Sequence, residues 1–307
     1  MILITEFMDE DAVASLKSAV PAEYQPDLAD RQGDIPGMMA GIRALIVRNR
    51  TQVTEDLLAA APDLKVVGRL GVGLDNIDLA ACKAKGVEVI PATGANNLSV
   101  AEYVISNALV LLRGAYQANA RMLAGEWPRM DCAGREVHGK TLGLIGFGAI
   151  AQETAKLAQG LGMQICATDP YVLADSPAWT GVMRTDLSGV LRAADVISLH
   201  VPLVDATRHM VNAQTLAAMK PGAVLINAAR GGVVDEDALV AALREGKIAG
   251  AALDVFETEP LTAEAAAKFE GLGNLILTPH IAGVTEESNV RVSTMIAEMV
   301  LDRLNKS

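Results

Sequence analysis

Short apolar runs punctuate the chain and alternate with stretches whose apolar residues recur every three or four positions. In the first hundred residues the runs are "MILITEF", "IRALIVRN" at 42–49, "LKVVGRLGVGLDNID" and "VEVIPAT". Helical spacing separates them in "EDAVASLKSAV" and in "TEDLLAAAP", where Thr54 stands at the N-cap position. A second series starts at Thr141 with "TLGLIGF", "MQICATD", "VISLHVP", "AVLINAA", "GAALDVF" and "NLILTPH". Helical patterns such as "ETAKLAQGLG" and "DEDALVAALREG" intervene, and Asp235, Glu236 and Asp237 fall where a helix N-terminus favours acids. Apolar runs alternating with helices predict an α/β fold with parallel sheets covered on both faces, doubly wound in the second series. Between the series, "SVAEYVISNALVLLRGAYQANARMLAGEW" predicts one long helix, with Ser99 as cap and Glu102 completing a capping box. "EESNVRVSTMIAEMVLDRLNKS" predicts a closing helix.

Composition supports this class. The chain has 307 residues, enough for two domains, and 51% of them are hydrophobic while only 3% are aromatic. Alanine and aliphatic residues must therefore fill the core, and 27 glycines allow close helix–strand contacts. The net charge of −11 argues against wholesale nucleic-acid binding but leaves room for a small anion held by a local arginine cluster. Cys82, Cys132 and Cys166 lie too far apart for a disulfide framework, and the four histidines lack metal-ligand spacing, so no metal site is expected. No basic leader precedes the first apolar run, and no run reaches membrane-spanning length. A reducing cytoplasm is the expected setting.

The strongest local motif is "TLGLIGFGAIAQETAKLAQGLGMQICATDPY". Gly146, Gly148 and Ala151 fill a G-x-G-x-x-G/A frame directly after a strand and before a helix. The first glycine permits the tight turn, the second leaves room for a pyrophosphate, and the small third residue lets helix and strand approach closely. Asp169, after the second strand, can accept hydrogen bonds from a ribose diol and would repel a 2′-phosphate, which favours NAD over NADP. A purely structural turn and a flavin remain open on this segment alone.

Arg230, Glu259 and His280 follow three successive strand runs. Ligands of open parallel sheets bind beyond the carboxyl ends of the strands. A histidine can carry the proton of a hydroxyl–ketone interconversion, a carboxylate can orient it, and an arginine offers a planar fork to a 2-oxo carboxylate. Each also has a plainer reading: Arg230 as a surface residue, Glu259 as a loop acid before proline, His280 as a structural histidine. His200, in "SLHVP", competes with His280, and Asp254 stands out in the otherwise apolar "GAALDVF".

In their order and spacing, "GRLGVGLDNID", "GANNLSVAEYV", "GKTLGLIGFGAIA", "DVISLHVPL", "INAARGGVVDEDAL", "AALDVFETEPL" and "NLILTPHIAG" resemble the D-isomer-specific 2-hydroxyacid dehydrogenases, phosphoglycerate dehydrogenase-like branch, over nearly the whole chain. The resemblance implies two Rossmann-like domains. A discontinuous, flavodoxin-like substrate domain (1–98, with 282–307 returning to it) would flank an NAD domain at 99–281, around a cleft. It implies Arg230 on the substrate carboxylate and carbonyl, Glu259 paired with the catalytic histidine, and His280 as acid/base. Backbone around Val72 and Gly73 would help bind the carboxylate. NAD contacts would fall on Ala149, Ile150, Asp169, His200, Val201, Pro202, Thr207, Ala228, Asp254 and Gly283. A homodimer is implied, with the helix after Ser99 near its interface. The chain ends soon after its last helix, so no C-terminal regulatory extension is expected.

The substrate expectation rests on charge. Aromatic lining for a large apolar substituent is scarce, whereas Arg48, Arg50 and Arg69 follow first-domain strands. Arg48 is the residue chosen as a second anion's partner, though any one of the three could be ordinarily solvated. A doubly anionic 2-hydroxy acid and its 2-oxo acid are expected, 3-phosphoglycerate first, sulfolactate or a malate-like acid next. Alternatives are a non-catalytic, corepressor-like NAD sensor and a phosphite or formate dehydrogenase on the same scaffold.

Overall fold

The computed structural model describes residues 1–114 and 118–306. It divides into two compact units, Met1–Asn96 with Val284–Ser307, and Asn97–Gly283.

The first unit holds a five-stranded parallel sheet of β1 (Ile2–Ile4), β2 (Ala22–Tyr24), β3 (Ala44–Val47), β4 (Val66–Arg69) and β5 (Glu88–Pro91), in the order β2-β1-β3-β4-β5. This is the flavodoxin-like order. The sheet is buried on both faces. Ile2, Ile4, Ala44 and Ile46 pack with Val292, Ile296 and Val300 of the Glu286–Lys306 helix, while Leu3, Leu45 and Val47 join Leu57, Leu58 and Leu64 on the other side. Two covered faces explain why these strands read as continuous apolar runs rather than alternating ones. Thr54 caps the Glu55–Ala59 helix, accepting from Leu57 N at 3.3 Å.

The second unit holds a seven-stranded parallel sheet: β6 (Thr141–Ile145), β7 (Gln164–Thr168), β8 (Met183–Arg184), β9 (Val196–Leu199), β10 (Val224–Asn227), β11 (Gly250–Leu253) and β12 (Leu275–Leu277). Their order, β12-β11-β10-β9-β6-β7-β8, reverses direction between β6 and β9, the switch point where doubly wound sheets bind nucleotides. Asp235 caps the Glu236–Arg244 helix through Ala238 N at 3.0 Å, the role its sequence position suggested.

The expected long helix is shorter and starts earlier. It spans Asn97–Arg113 and a separate short helix follows at Asn119–Leu123, with Gly114 at φ 66° after the first. Residues 115–117 of the expected helix lie outside the described residues. Ser99 is 5% exposed and lies inside the first turn rather than at the cap. Two further residues of helix enclose the position that the sequence pattern had read as the boundary.

Candidate active site

The nucleotide loop grows directly out of β6. Gly146 turns the chain at φ 88°, and its N–H donates to Thr168 O at 2.9 Å. A side chain there would strike the His200 carbonyl, so the tight turn and the close passage of the β9 end both require glycine. Phe147 is 1% exposed and stacks on Trp179 with ring centroids 4.8 Å apart. Gly148 is the N-cap of the Ala149–Gly160 helix, and a Cβ there would meet nothing within 4 Å. Ala149 is exposed, Ile150 is half-buried, and no acid occupies the helix's first turn. Open space before free helix N–H groups suits a pyrophosphate. Ala151 is fully buried, as a close helix–strand contact demands.

Asp169 follows β7. One of its oxygens accepts from Phe147 N at 2.7 Å, and the other from Tyr171 N at 2.7 Å and Val172 N at 3.2 Å. The residue chosen for a ribose diol therefore also ties the glycine loop to the β7 end, a second task that sequence reasoning missed. An acceptor-only group here fits the unphosphorylated ribose of NAD.

His200, Val201 and Pro202 continue from β9. Burial pushes the His200 imidazole down to about 4, so the ring is neutral near pH 7, with Nε2 3.0 Å from Ser198 Oγ. Thr207 closes the following turn: its hydroxyl donates to Pro202 O at 2.6 Å and accepts from Val204 N at 2.9 Å.

Arg230 is positioned by Asn227, the last residue of β10. Asn227 is 1% exposed, accepts from Ala229 N at 3.1 Å and donates to Arg230 O at 3.0 Å, folding Ala228–Arg230 into a tight turn at the end of β10. A buried, hydrogen-bonding residue ending an apolar strand was the available signal. Gly231 then passes so close to Phe256 that a Cβ would overlap its carbonyl oxygen. This close approach brings the Arg230 turn against the Glu259 loop.

Glu259 and His280 meet directly. Glu259 Oε2 lies 2.7 Å from His280 Nδ1, and Oε1 accepts from Phe256 N at 2.9 Å. Burial raises the Glu259 pKa. The His280 hydrogen bond, the Phe256 N–H and the charges of His280 and Arg230 outweigh it and hold the carboxyl below the ordinary range. Nδ1 donating to a carboxylate leaves Nε2 as the ring nitrogen that can take or release a proton. The His280 side chain is 45% exposed, so it is accessible to a ligand. His280 has φ 55°, a left-handed conformation costing about 1–3 kcal/mol in a non-glycine residue. Asp254, 1% exposed at the end of β11, surrounds it with contacts. The Asp254 carbonyl accepts from His280 N at 2.9 Å, and its carboxylate accepts from Ile281 N at 2.8 Å and Ala282 N at 2.7 Å. Gly283 follows at the unit boundary.

A second histidine–carboxylate pair flanks the same loop. His209, also left-handed at φ 49°, has Nε2 3.0 Å from Glu257 Oε1, and Glu257 N donates to the buried Glu236 at 2.8 Å. No sequence signal singled out His209.

In the first unit, Glu6 is 2% exposed and binds the backbone of the "RNRT" loop: Arg48 N at 2.8 Å, Thr51 N at 2.9 Å and Arg50 N at 3.1 Å. The Arg48 guanidinium reaches Asn289 Oδ1 at 2.7 Å and lies over the Phe7 ring. Burial lowers its pKa, which the nearby Glu6 partly offsets. Arg50 turns outward to Asp30, and Arg69 folds onto Leu70 O at 2.9 Å. Val72 and Gly73 are half-buried in the turn after β4. No helix among the described residues is long and apolar enough to cross a membrane.

A dinucleotide cradle at the switch point and a histidine–carboxylate pair beside an arginine define a nicotinamide-dependent dehydrogenase. The profile of the D-isomer specific 2-hydroxyacid dehydrogenase NAD binding domain matches residues 105–282. The (S)-sulfolactate dehydrogenase of Chromohalobacter salexigens is 54% identical over 300 residues, 97% of this chain and 96% of that protein. The D-3-phosphoglycerate dehydrogenase of Methanocaldococcus jannaschii is 41% identical over 97% of this chain, which spans only 56% of that relative. Among solved structures, the D-lactate dehydrogenase of Aquifex aeolicus complexed with NAD and lactic acid aligns over 100% of this chain and 96% of its own, at TM-score 0.87 and 31% identity. The chain belongs to the D-isomer-specific 2-hydroxyacid dehydrogenases. It is an NAD-dependent oxidoreductase of 2-hydroxy acids.

Proposed function

We propose that the substrate is a 2-hydroxy acid carrying a second anionic group, with 3-sulfolactate ahead of 3-phosphoglycerate, and that Arg230, Glu259 and His280 perform the chemistry. One contact carries the assignment of roles: His280 Nδ1 on Glu259 Oε2 at 2.7 Å, with the charge of Arg230 acting on the same carboxylate. NAD held in this cradle would supply the acceptor for the hydride of the carbinol carbon. His280 Nε2 takes the hydroxyl proton, Glu259 fixes the ring and balances the imidazolium, and Arg230 holds the carboxylate in its planar fork. Gly146, Gly148, Ala149, Ile150, Asp169, His200, Val201, Pro202, Thr207, Ala228, Asp254 and Gly283 are the proposed NAD contacts. Arg48, Val72 and Gly73 are proposed substrate contacts. Identity of 54% to a sulfolactate dehydrogenase supports the order of substrates. A homodimer is proposed as well. Leu123, Trp127 and Met130 stand 87%, 79% and 79% exposed in one short segment, and sedimentation equilibrium reads the oligomeric state directly. The free thiols of Cys82, Cys132 and Cys166 suit the cytoplasm.

The test is a substrate panel with NAD: sulfolactate, 3-phosphoglycerate, malate, lactate and 2-hydroxyisocaproate, in both hands, with phosphite and formate added. Sulfolactate is expected to give the highest kcat/KM. A clear win for an apolar acid refutes the second anion. Oxidation of phosphite or formate with every hydroxy acid silent refutes the assigned chemistry. His280→Ala should lose about 10²–10⁴ in turnover.

A further inference from the structure

A chain of hydroxyls ends on Asp254. Thr278 Oγ1 donates to Asp254 Oδ1 at 2.6 Å. Tyr103 Oη lies 2.7 Å from Thr278 Oγ1. The single Thr278 hydroxyl proton is committed to the carboxylate, so Tyr103 is the donor to Thr278. Asp254 in turn accepts from the N–H groups of His280, Ile281 and Ala282, the first on its carbonyl and the others on its carboxylate. Thr278 N also donates to Leu253 O at 3.0 Å. Residues 278–282 are thereby wrapped around one buried side chain, and His280 sits at their centre in a left-handed conformation.

We infer that Tyr103 and Thr278 are positioning residues for His280, acting through Asp254. The Thr278 hydroxyl occupies one lone pair of Oδ1 and fixes the carboxylate plane. That plane aims the two oxygens at Ile281 N and Ala282 N, which set the path of the chain leaving His280. Tyr103, on the Asn97–Arg113 helix, selects the Thr278 rotamer by donating to its oxygen. Burial pushes the Tyr103 phenol up to about 12, so it keeps the proton it donates. The Thr278 carbonyl also accepts from His280 N at 3.1 Å, so the effect of the two hydroxyls reaches the Glu259–His280 pair through the backbone of the loop. Misplacement of a reacting group by about 1 Å can cost roughly 100-fold in rate, so a small shift of this loop is sufficient.

The inference rests on His280 as the proton carrier, and the experiment separates the two. Steady-state kinetics with the best substrate and NADH binding by fluorescence are measured on the whole chain for Thr278→Val, Thr278→Ser, Tyr103→Phe and His280→Ala. Thr278→Val should lower kcat by roughly 10- to 100-fold while the KM for the acid stays within about threefold and the Kd for NADH, which Asp254 also serves, changes several-fold less than kcat. Thr278→Ser, which keeps the hydroxyl, should restore kcat to within about threefold of wild type. Tyr103→Phe should lose about three- to tenfold in kcat, and it carries the test if Thr278→Val fails to fold. A kcat within twofold of wild type in both Thr278→Val and Tyr103→Phe, with His280→Ala inactive, overturns this inference alone. An equal change in NADH affinity and kcat, or failure of the serine variant to rescue, overturns it too, since either marks a general structural role. Near-normal turnover in His280→Ala overturns the reading of His280 beneath it.

Discussion

Two alanine substitutions, two residues apart, should separate folding from nucleotide binding. At Gly148 the backbone is ordinary, φ −73° and ψ −170°, and an added Cβ meets nothing within 4 Å. Two small terms then compete. Alanine at an N-cap is worse than glycine by about 0.5–1 kcal/mol. Restricting the unfolded chain returns about 0.4–1 kcal/mol where the native backbone suits alanine. They nearly cancel, so Gly148→Ala should unfold within about 0.5 kcal/mol of wild type. Its methyl group nevertheless projects into the space before the helix N-terminus, and NADH affinity should fall at least ~10-fold, or ~1.4 kcal/mol. Gly146→Ala differs on both counts. Its φ of 88° costs an L-residue roughly 1–2 kcal/mol. Its Cβ would also meet the His200 backbone, with the carbonyl carbon at 2.7 Å, where no rotamer can yield. Overpacking of this kind adds about 1–3 kcal/mol. Urea denaturation without nucleotide and NADH fluorescence titration on the same preparations decide the matter. Wild-type NADH affinity in Gly148→Ala would refute the pyrophosphate assignment. A wild-type midpoint in Gly146→Ala would refute the close approach of β6 and β9.

Acid stability should depend on His200. Its folded value of about 4 lies below the unfolded 6.5, so its contribution is full above 6.5 and is lost as pH falls through the folded value, about 3 kcal/mol in all at ~1.4 kcal/mol per unit. His200→Gln should lack that slope in denaturant melts between roughly pH 7 and pH 4, and parallel wild-type and variant curves would contradict the assignment. Glu6→Ala should cost about 3 kcal/mol by releasing three backbone N–H groups of the Arg48–Thr51 loop, and a loss below about 1 kcal/mol in urea would show that water replaces the carboxylate.

The buried strands were legible because burial on two faces leaves unbroken apolar runs, as in "ALIV" of β3 and "VLIN" of β10. Of the edge strands, β5 and β12 were read but β2 and β8 were not: β2 is "AEY", half-buried throughout, and β8 is the exposed pair "MR". A strand covered on neither face carries little hydropathy signal. Glu259 and His280 were singled out by type and by place at strand ends, and they lie in contact. The groups that hold them were not. Asn227 bonds within its own turn, whereas Tyr103 and Thr278 are joined across 175 residues, and a threonine or tyrosine in an apolar segment looks like any half-buried residue. Arg50 is drawn out by Asp30, a partner 20 residues away that spacing could not supply.

The stack of Trp179 on Phe147 has an optical consequence. The chain has two tryptophans, and they report on different things. Trp127 is 79% exposed and its emission follows the solvent. Trp179 rests on the residue between the two glycines of the nucleotide loop, with its indole N–H bound to Leu173 O at 2.9 Å. Reduced nicotinamide absorbs where tryptophan emits, so excitation of this indole drains into bound NADH by energy transfer. Replacing Trp127 with phenylalanine would leave a chain whose whole tryptophan emission is a gauge of one loop.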